Sequence, residues 1–122
     1  MQKINLCLTN PELETLNQLW IYFDVSSNQY KNSIGINDNF DVYFNKITGI
    51  IILTEVKNKF KKAFPIPRNK TNCKIKLTYP QANCLYLFLK NYPINPNIAP
   101  YLYTIIADLI STLHLFLVNN QD

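Results

Sequence analysis

Two stretches of the chain share one pattern: LTNPE at residues 8–12 and LTYPQ at residues 77–81. Each follows a segment in which apolar and polar residues alternate, INLCL at residues 4–8 and CKIKL at residues 73–77. Alternation with a period of two is typical of a strand that buries one face. In each stretch a threonine precedes a glutamate or glutamine at capping-box spacing, with proline in the first turn. The sequence therefore predicts two strands that each run directly into a capped helix.

Apolar residues then recur at helical spacing after each capping stretch. They are Leu13, Leu16, Leu19 and Trp20 in the first half, and Leu85, Phe88 and Leu89 in the second. A further match, between ILTEV at residues 52–56 and IIADL at residues 105–109, predicts a second helix in each half. We therefore predict an α+β fold that is mostly helical. In it, two strand–helix–helix repeats, over about residues 3–64 and 72–118, pack as one domain (1–122) with a small two-stranded sheet.

Residues 41–53 allow two interpretations. Two apolar runs, DVYF at 41–44 and IIIL at 50–53, flank a turn-like KITG, which is typical of a β-hairpin. The repeat instead predicts a helix over about residues 38–63 with Gly49 inside it, and we favour the helix. The polar connection between the first two helices is then expected over about residues 22–41, and the joint between the halves over 65–72.

Composition places the chain among globular proteins. Its 122 residues predict one domain, and a hydrophobic share of 48% is too high for a disordered chain. The three cysteines are odd in number and have no CxxC spacing, so we expect them to be small buried hydrophobes in a reducing compartment, the cytoplasm. The apolar segment at 101–118 contains Asp108 and His114, which favours a buried or interface helix over a membrane span.

The same composition argues against catalysis. Two glycines exclude a glycine-rich phosphate loop, and a single histidine excludes a two-histidine metal site within one chain. The remaining candidate zinc ligands match no short motif: Cys7, Cys73, Cys84 and His114. We predict a protein that is not an enzyme, with no catalytic residues, no cofactor and no metal.

Charge is concentrated in one segment. The net charge is +4, and residues 57–76, the cationic segment, hold eight cations and no acid. These are the predicted binding residues: Lys57, Lys59, Lys61, Lys62, Arg68, Lys70, Lys74 and Lys76. Two interpretations stay open, a solvated face or a surface for an anionic partner. Because lysine is a point charge without bidentate geometry, a working surface would contact phosphates or an acidic protein and would not read bases.

Two phenylalanines lie among these cations. Phe60 and Phe64 would suit base stacking, but their spacing with Val56 is that of a buried helical stripe. We therefore expect both rings to belong to the core.

The doubled strand–cap–helix pattern, with Leu-Thr-x-Pro-Glu/Gln in each half, resembles small proteins of phages and mobile elements that include anti-CRISPR inhibitors. The resemblance implies stoichiometric binding to an RNA-guided nuclease of the host, on its surface or where its guide RNA lies. Two alternatives are a small nucleic-acid-binding accessory protein that contacts phosphates, and a structural or homo-oligomerisation module that uses the apolar helix at 101–118. We predict no interaction with a membrane.

Overall fold

Six elements follow one another in the order strand, helix, helix, strand, helix, helix. A computed structural model describes residues 2–33 and 40–120, with side chains over 2–29 and 45–120. The elements are β1 (Lys3–Leu8), α1 (Asn10–Ser33), α2 (Phe40–Ala63), β2 (Cys73–Thr78), α3 (Tyr79–Lys90) and α4 (Pro100–Asn119). The predicted α+β class, mostly helical with a two-stranded sheet, is confirmed. Duplication of a sequence unit stays a prediction.

The sheet is antiparallel and buries one face. Lys3 lies opposite Thr78 and Leu8 opposite Cys73, so the odd-numbered residues of β1 face the same side of the sheet as the even-numbered residues of β2. Leu6 and Leu77 are among the buried inner-face residues. The outer face is polar and exposed, and carries Lys3, Asn5, Cys7, Lys74 and Lys76. The predicted alternation therefore separates a core face from a solvent face.

Both predicted capping boxes are present. The Thr9 backbone N–H donates to Glu12 Oε1 at 2.9 Å, and the Glu12 backbone N–H donates to Thr9 Oγ1 at 3.4 Å. At the second site the Thr78 N–H donates to Gln81 Oε1 at 3.0 Å, and the Gln81 N–H donates to Thr78 Oγ1 at 3.4 Å. Each cap satisfies helix donors that would otherwise have no partner, and stabilises the fold by about 1 kcal/mol.

The connection predicted over residues 22–41 is wrong for its first part, since α1 continues to Ser33. Phe23 and Ser27 continue the buried stripe of Leu16 and Trp20, and burial of these residues stabilises the helix beyond residue 22. No glycine or proline interrupts the chain after Pro11 in this helix. Residues 34–39 of the predicted connection lie outside the described residues, and its last two, Phe40 and Asp41, already belong to α2.

The helical interpretation of residues 41–53 is confirmed, because they lie within α2. Gly49 falls inside the helix, and a Cβ placed there would meet nothing within 4 Å. Burial of Val56 and Phe60, which are 0% and 3% exposed, fixes the C-terminal half of this helix to the core. Tertiary packing therefore outweighs the β-branched residues at 50–52.

One hydrophobic core draws on all six elements. Trp20 lies among aromatic rings, with its centroid 5.2 Å from that of Phe60 in an edge contact and 6.0 Å from that of Phe88 in a stacked one. The helix α4 adds six buried residues, which are Leu102, Ile105, Ile106, Leu109, Leu113 and Leu117. Within the described residues, α4 is also the one helix long and apolar enough to cross a membrane.

Candidate anion-binding groove

A groove lies between the C-terminal end of α2 and the outer face of β2. Its volume is about 380 Å³, and the residues that line it are Lys3, Lys59, Lys62, Ala63, Lys74, Ile75, Lys76 and Thr78. Five of these are lysines, and no acidic side chain is among the described residues that line it. We call this site the lysine groove.

Strand and helix periodicity bring the five lysines together. Lys74 and Lys76 are two residues apart on the outer face of β2, which separates their Cα atoms by about 6.7 Å. Lys3 lies opposite Thr78, and is therefore a diagonal neighbour of Lys76 at about 7–8 Å. On α2, residues three apart lie on one side of the helix, so Lys59 and Lys62 face the groove together.

Lys59 also has a structural role in the groove. Its Nζ donates to the Lys76 carbonyl oxygen at 2.7 Å and to Gln81 Oε1 at 2.8 Å. Gln81 is buried, and its Nε2 donates to Glu55 Oε2 at 3.5 Å. Lys59 therefore ties α2 to β2 and to the cap of α3, while the charges of Lys62, Lys74 and Lys76 project from exposed side chains.

The other predicted binding residues lie elsewhere. Lys57 forms an ion pair with Asp24 at 2.8 Å, which directs it toward α1. Lys61 lines a separate cleft that contains Glu14. Arg68 and Lys70 are exposed in the connection between α2 and β2. The structure therefore brings together four of the eight predicted cations and separates the other four from the groove.

Sequence reasoning missed Lys3, which the structure adds to the groove. It lies within residues 1–56, where six acids outnumber three lysines, so counting charges along the sequence did not group it with the cationic segment. The signal that finds it is the strand pattern: pairing of two alternating strands puts the polar residues of both on one face. Lys3 lies on the polar face of β1 and therefore beside Lys74 and Lys76.

The opposite flank of the sheet has the opposite charge. A cleft of about 330 Å³ lies between β1 and α4, and its lining includes Glu12, Asp108 and Thr112. Asp108 is exposed, so this acid is solvated and needs no buried partner. The outer face of the sheet therefore has a basic groove along β2 and an acidic cleft along β1.

The two phenylalanines of the cationic segment differ in burial. Phe60 belongs to the core at 3% exposed, as predicted, whereas the expectation for Phe64 is wrong because it is 42% exposed. Phe64 is the first residue beyond α2 and lines the cleft that contains Lys61. Neither ring is among the residues that line the lysine groove.

The cysteines are more exposed than predicted. Cys7 is exposed on the outer face of the sheet, and Cys73 and Cys84 are half-buried. Within residues 2–33 and 40–120, no three cysteine, histidine or acidic side chains lie close enough to hold a metal ion. His114 is exposed, and its Nδ1 lies 3.4 Å from the Tyr86 hydroxyl.

Burial makes the three thiols unequal. It raises the pKa of Cys84, and it raises the pKa of Cys73 together with a smaller effect from the nearby Cys7. A raised pKa lowers the thiolate fraction, so we expect iodoacetamide to alkylate Cys7 before Cys73 and Cys84 at about pH 8. The rates at the two half-buried thiols rise further as pH increases toward their pKa values. Peptide mass spectrometry measures each rate. Fastest labelling at Cys84 would show that this thiol is more exposed than the structure indicates.

Comparison of the chain with protein-family models, with curated proteins and with solved structures found no match. The lysine groove is therefore the feature from which we infer a function.

Proposed function

We propose that the protein is a non-enzymatic binding protein whose lysine groove binds the phosphate backbone of a nucleic acid. The observation that carries this proposal is the convergence of five lysines from β1, α2 and β2 on one groove of about 380 Å³. Like charges held this close create a positive potential that a polyanion neutralises with release of its counterions.

The kind of cation favours phosphate over an acidic protein surface. Protein–protein interfaces are enriched in arginine and aromatic residues and depleted of lysine. The lysine groove has the reverse composition, since its charged lining is lysine alone among the described residues. Lysine places a compact point charge against a phosphate oxygen without demanding a planar partner.

An inhibitor of an RNA-guided nuclease is one form of this function. The groove would then bind the phosphate backbone of the guide RNA and compete with the nuclease for it. The order of addition tests this form with purified components. We expect inhibition when the protein is added before the nuclease binds its guide RNA, and little inhibition afterwards. Inhibition that does not depend on the order would argue against competition for the guide.

Salt dependence tests the proposed function itself. With four or five phosphate contacts, we expect the affinity for a fluorescently labelled nucleic acid to fall by about 100-fold or more between about 50 and 200 mM salt. The expected loss follows from counterion release, which contributes about 0.9 per contact to the slope of log affinity against log salt for a duplex. Fluorescence anisotropy measures the affinity at each salt concentration. An affinity that is unchanged over this range would overturn the proposal.

A further inference from the structure

On the basis of the proposed function, we infer that the lysine groove binds a double-stranded nucleic acid and does so without reading its sequence. The inference depends on three features: the side chains absent from the groove lining, the length over which the lysines are spread, and the acidic cleft on the other flank of the sheet.

The groove lacks the surface that single strands use. Proteins that bind single strands combine a basic channel with aromatic rings on which successive bases stack. None of the described residues that line the lysine groove is aromatic. The rings next to lining residues in the sequence are engaged elsewhere, since Phe60 packs on Trp20, Phe64 lines another cleft and Tyr79 packs on Phe116. Bases of a single strand would therefore gain no stacking partner here.

The spread of the lysines matches the charge density of a duplex. The groove follows β2 from Lys74 to Thr78, a length of about 13 Å. Over that length a duplex carries about eight phosphates on its two strands, whereas one strand at the same spacing carries about four. A duplex therefore offers more phosphates to the five lysines than a single strand does, and counterion release is also larger per contact for a duplex.

The lining also lacks the planar groups that distinguish base pairs. Base edges are recognised mainly by arginine or lysine at guanine and by the amides of asparagine and glutamine at adenine. Of these side chains the described lining contains only lysine, a point charge without the paired donors of a guanidinium or an amide. Its one hydroxyl, Thr78 Oγ1, already accepts the Gln81 backbone N–H. Contacts limited to phosphates position the protein on the duplex and carry no sequence information.

The acidic cleft limits where the duplex lies. Glu12 and Asp108 on the β1 flank repel phosphates, while Lys74 and Lys76 on the β2 flank attract them. The duplex is therefore expected along β2 and α2, and not across the whole outer face of the sheet.

Matched probes test the inference on the whole protein. The probes are DNA and RNA duplexes of about 20 base pairs, two of each with unrelated sequences, and unstructured single strands of the same length. We expect one type of duplex to bind about tenfold more tightly than any single strand at about 0.1 M salt, with the two sequences of that type within about twofold. Equal or tighter binding of single strands, or a strong sequence preference, would overturn the inference and leave the proposed function standing. Binding of no probe at low salt would overturn both.

A gain of function tests the role of the missing rings. Asn5 is exposed on the outer face, directly opposite Lys76, at the edge of the acidic cleft. Asn5→Tyr supplies a ring beside the groove, and we expect it to raise the affinity for single strands at least about fivefold. Asn5→Leu is the control, since it adds apolar surface without a ring. An Asn5→Tyr variant that folds, and binds single strands no better than Asn5→Leu does, would show that stacking is not what the groove lacks.

Discussion

Replacing Lys62, Lys74 and Lys76 together by glutamine is expected to lower the affinity for duplex nucleic acid by about 100-fold or more at about 0.1 M salt. Each of these lysines lines the groove and is exposed, so its loss removes a proposed phosphate contact and leaves the core intact. Lys59 is left in place, because its Nζ holds the Lys76 carbonyl oxygen and Gln81. Anisotropy titrations of the variant and the wild type measure the loss.

A second triple variant separates the groove from net charge. Lys61, Arg68 and Lys70 belong to the same cationic segment and are exposed, but none of them lines the lysine groove. Replacing all three by glutamine removes the same three charges, and we expect the affinity to stay within about fivefold of the wild type. Equal losses in the two variants would mean that overall charge, and not the groove, accounts for binding.

Leu113→Ala is expected to destabilise the fold by about 2–5 kcal/mol. Leu113 is 0% exposed in α4, where it belongs to the core shared by all six elements, so truncation leaves a cavity. Urea unfolding followed by circular dichroism measures the free energy of unfolding. The expected loss is a large part of the total stability of a domain of this size, so the midpoint moves visibly toward lower denaturant.

The control for this change lies two residues along the same helix. Leu115 is 62% exposed, and Leu115→Ala removes the same atoms without opening a cavity. We expect its free energy of unfolding to stay within about 0.5 kcal/mol of the wild type. If Leu115→Ala costs as much as Leu113→Ala, then the outer side of α4 is covered in solution.

Local rules predicted the parts of the fold that local sequence controls. Thr9 with Glu12 and Thr78 with Gln81 form capping boxes because each needs only four consecutive residues. Alternation fixed which side of each strand faces the core. The extent of α1 could not be predicted in this way, because burial of Phe23 and Ser27 depends on the packing of α1 in the assembled core.

The residues of the lysine groove also divide into those that local sequence predicts and one that it does not. Clustering of cations in the sequence found Lys59, Lys62, Lys74 and Lys76, because the C-terminal end of α2 leads through one connection to β2. It also included Lys57, whose partner Asp24 lies 33 residues away on another helix. Lys3 was missed since its place depends on strand register, which joins residues that are far apart in the chain.

The slope of log affinity against log salt tests the central claim most directly, because it counts the phosphates that the protein neutralises. For a duplex we expect a slope near −4 for the wild type, with four or five contacts, and a slope weaker by about 2.7 for the variant with glutamine at Lys62, Lys74 and Lys76. The variant at Lys61, Arg68 and Lys70 should keep the wild-type slope. An equal slope for all three proteins would contradict the assignment of binding to the lysine groove.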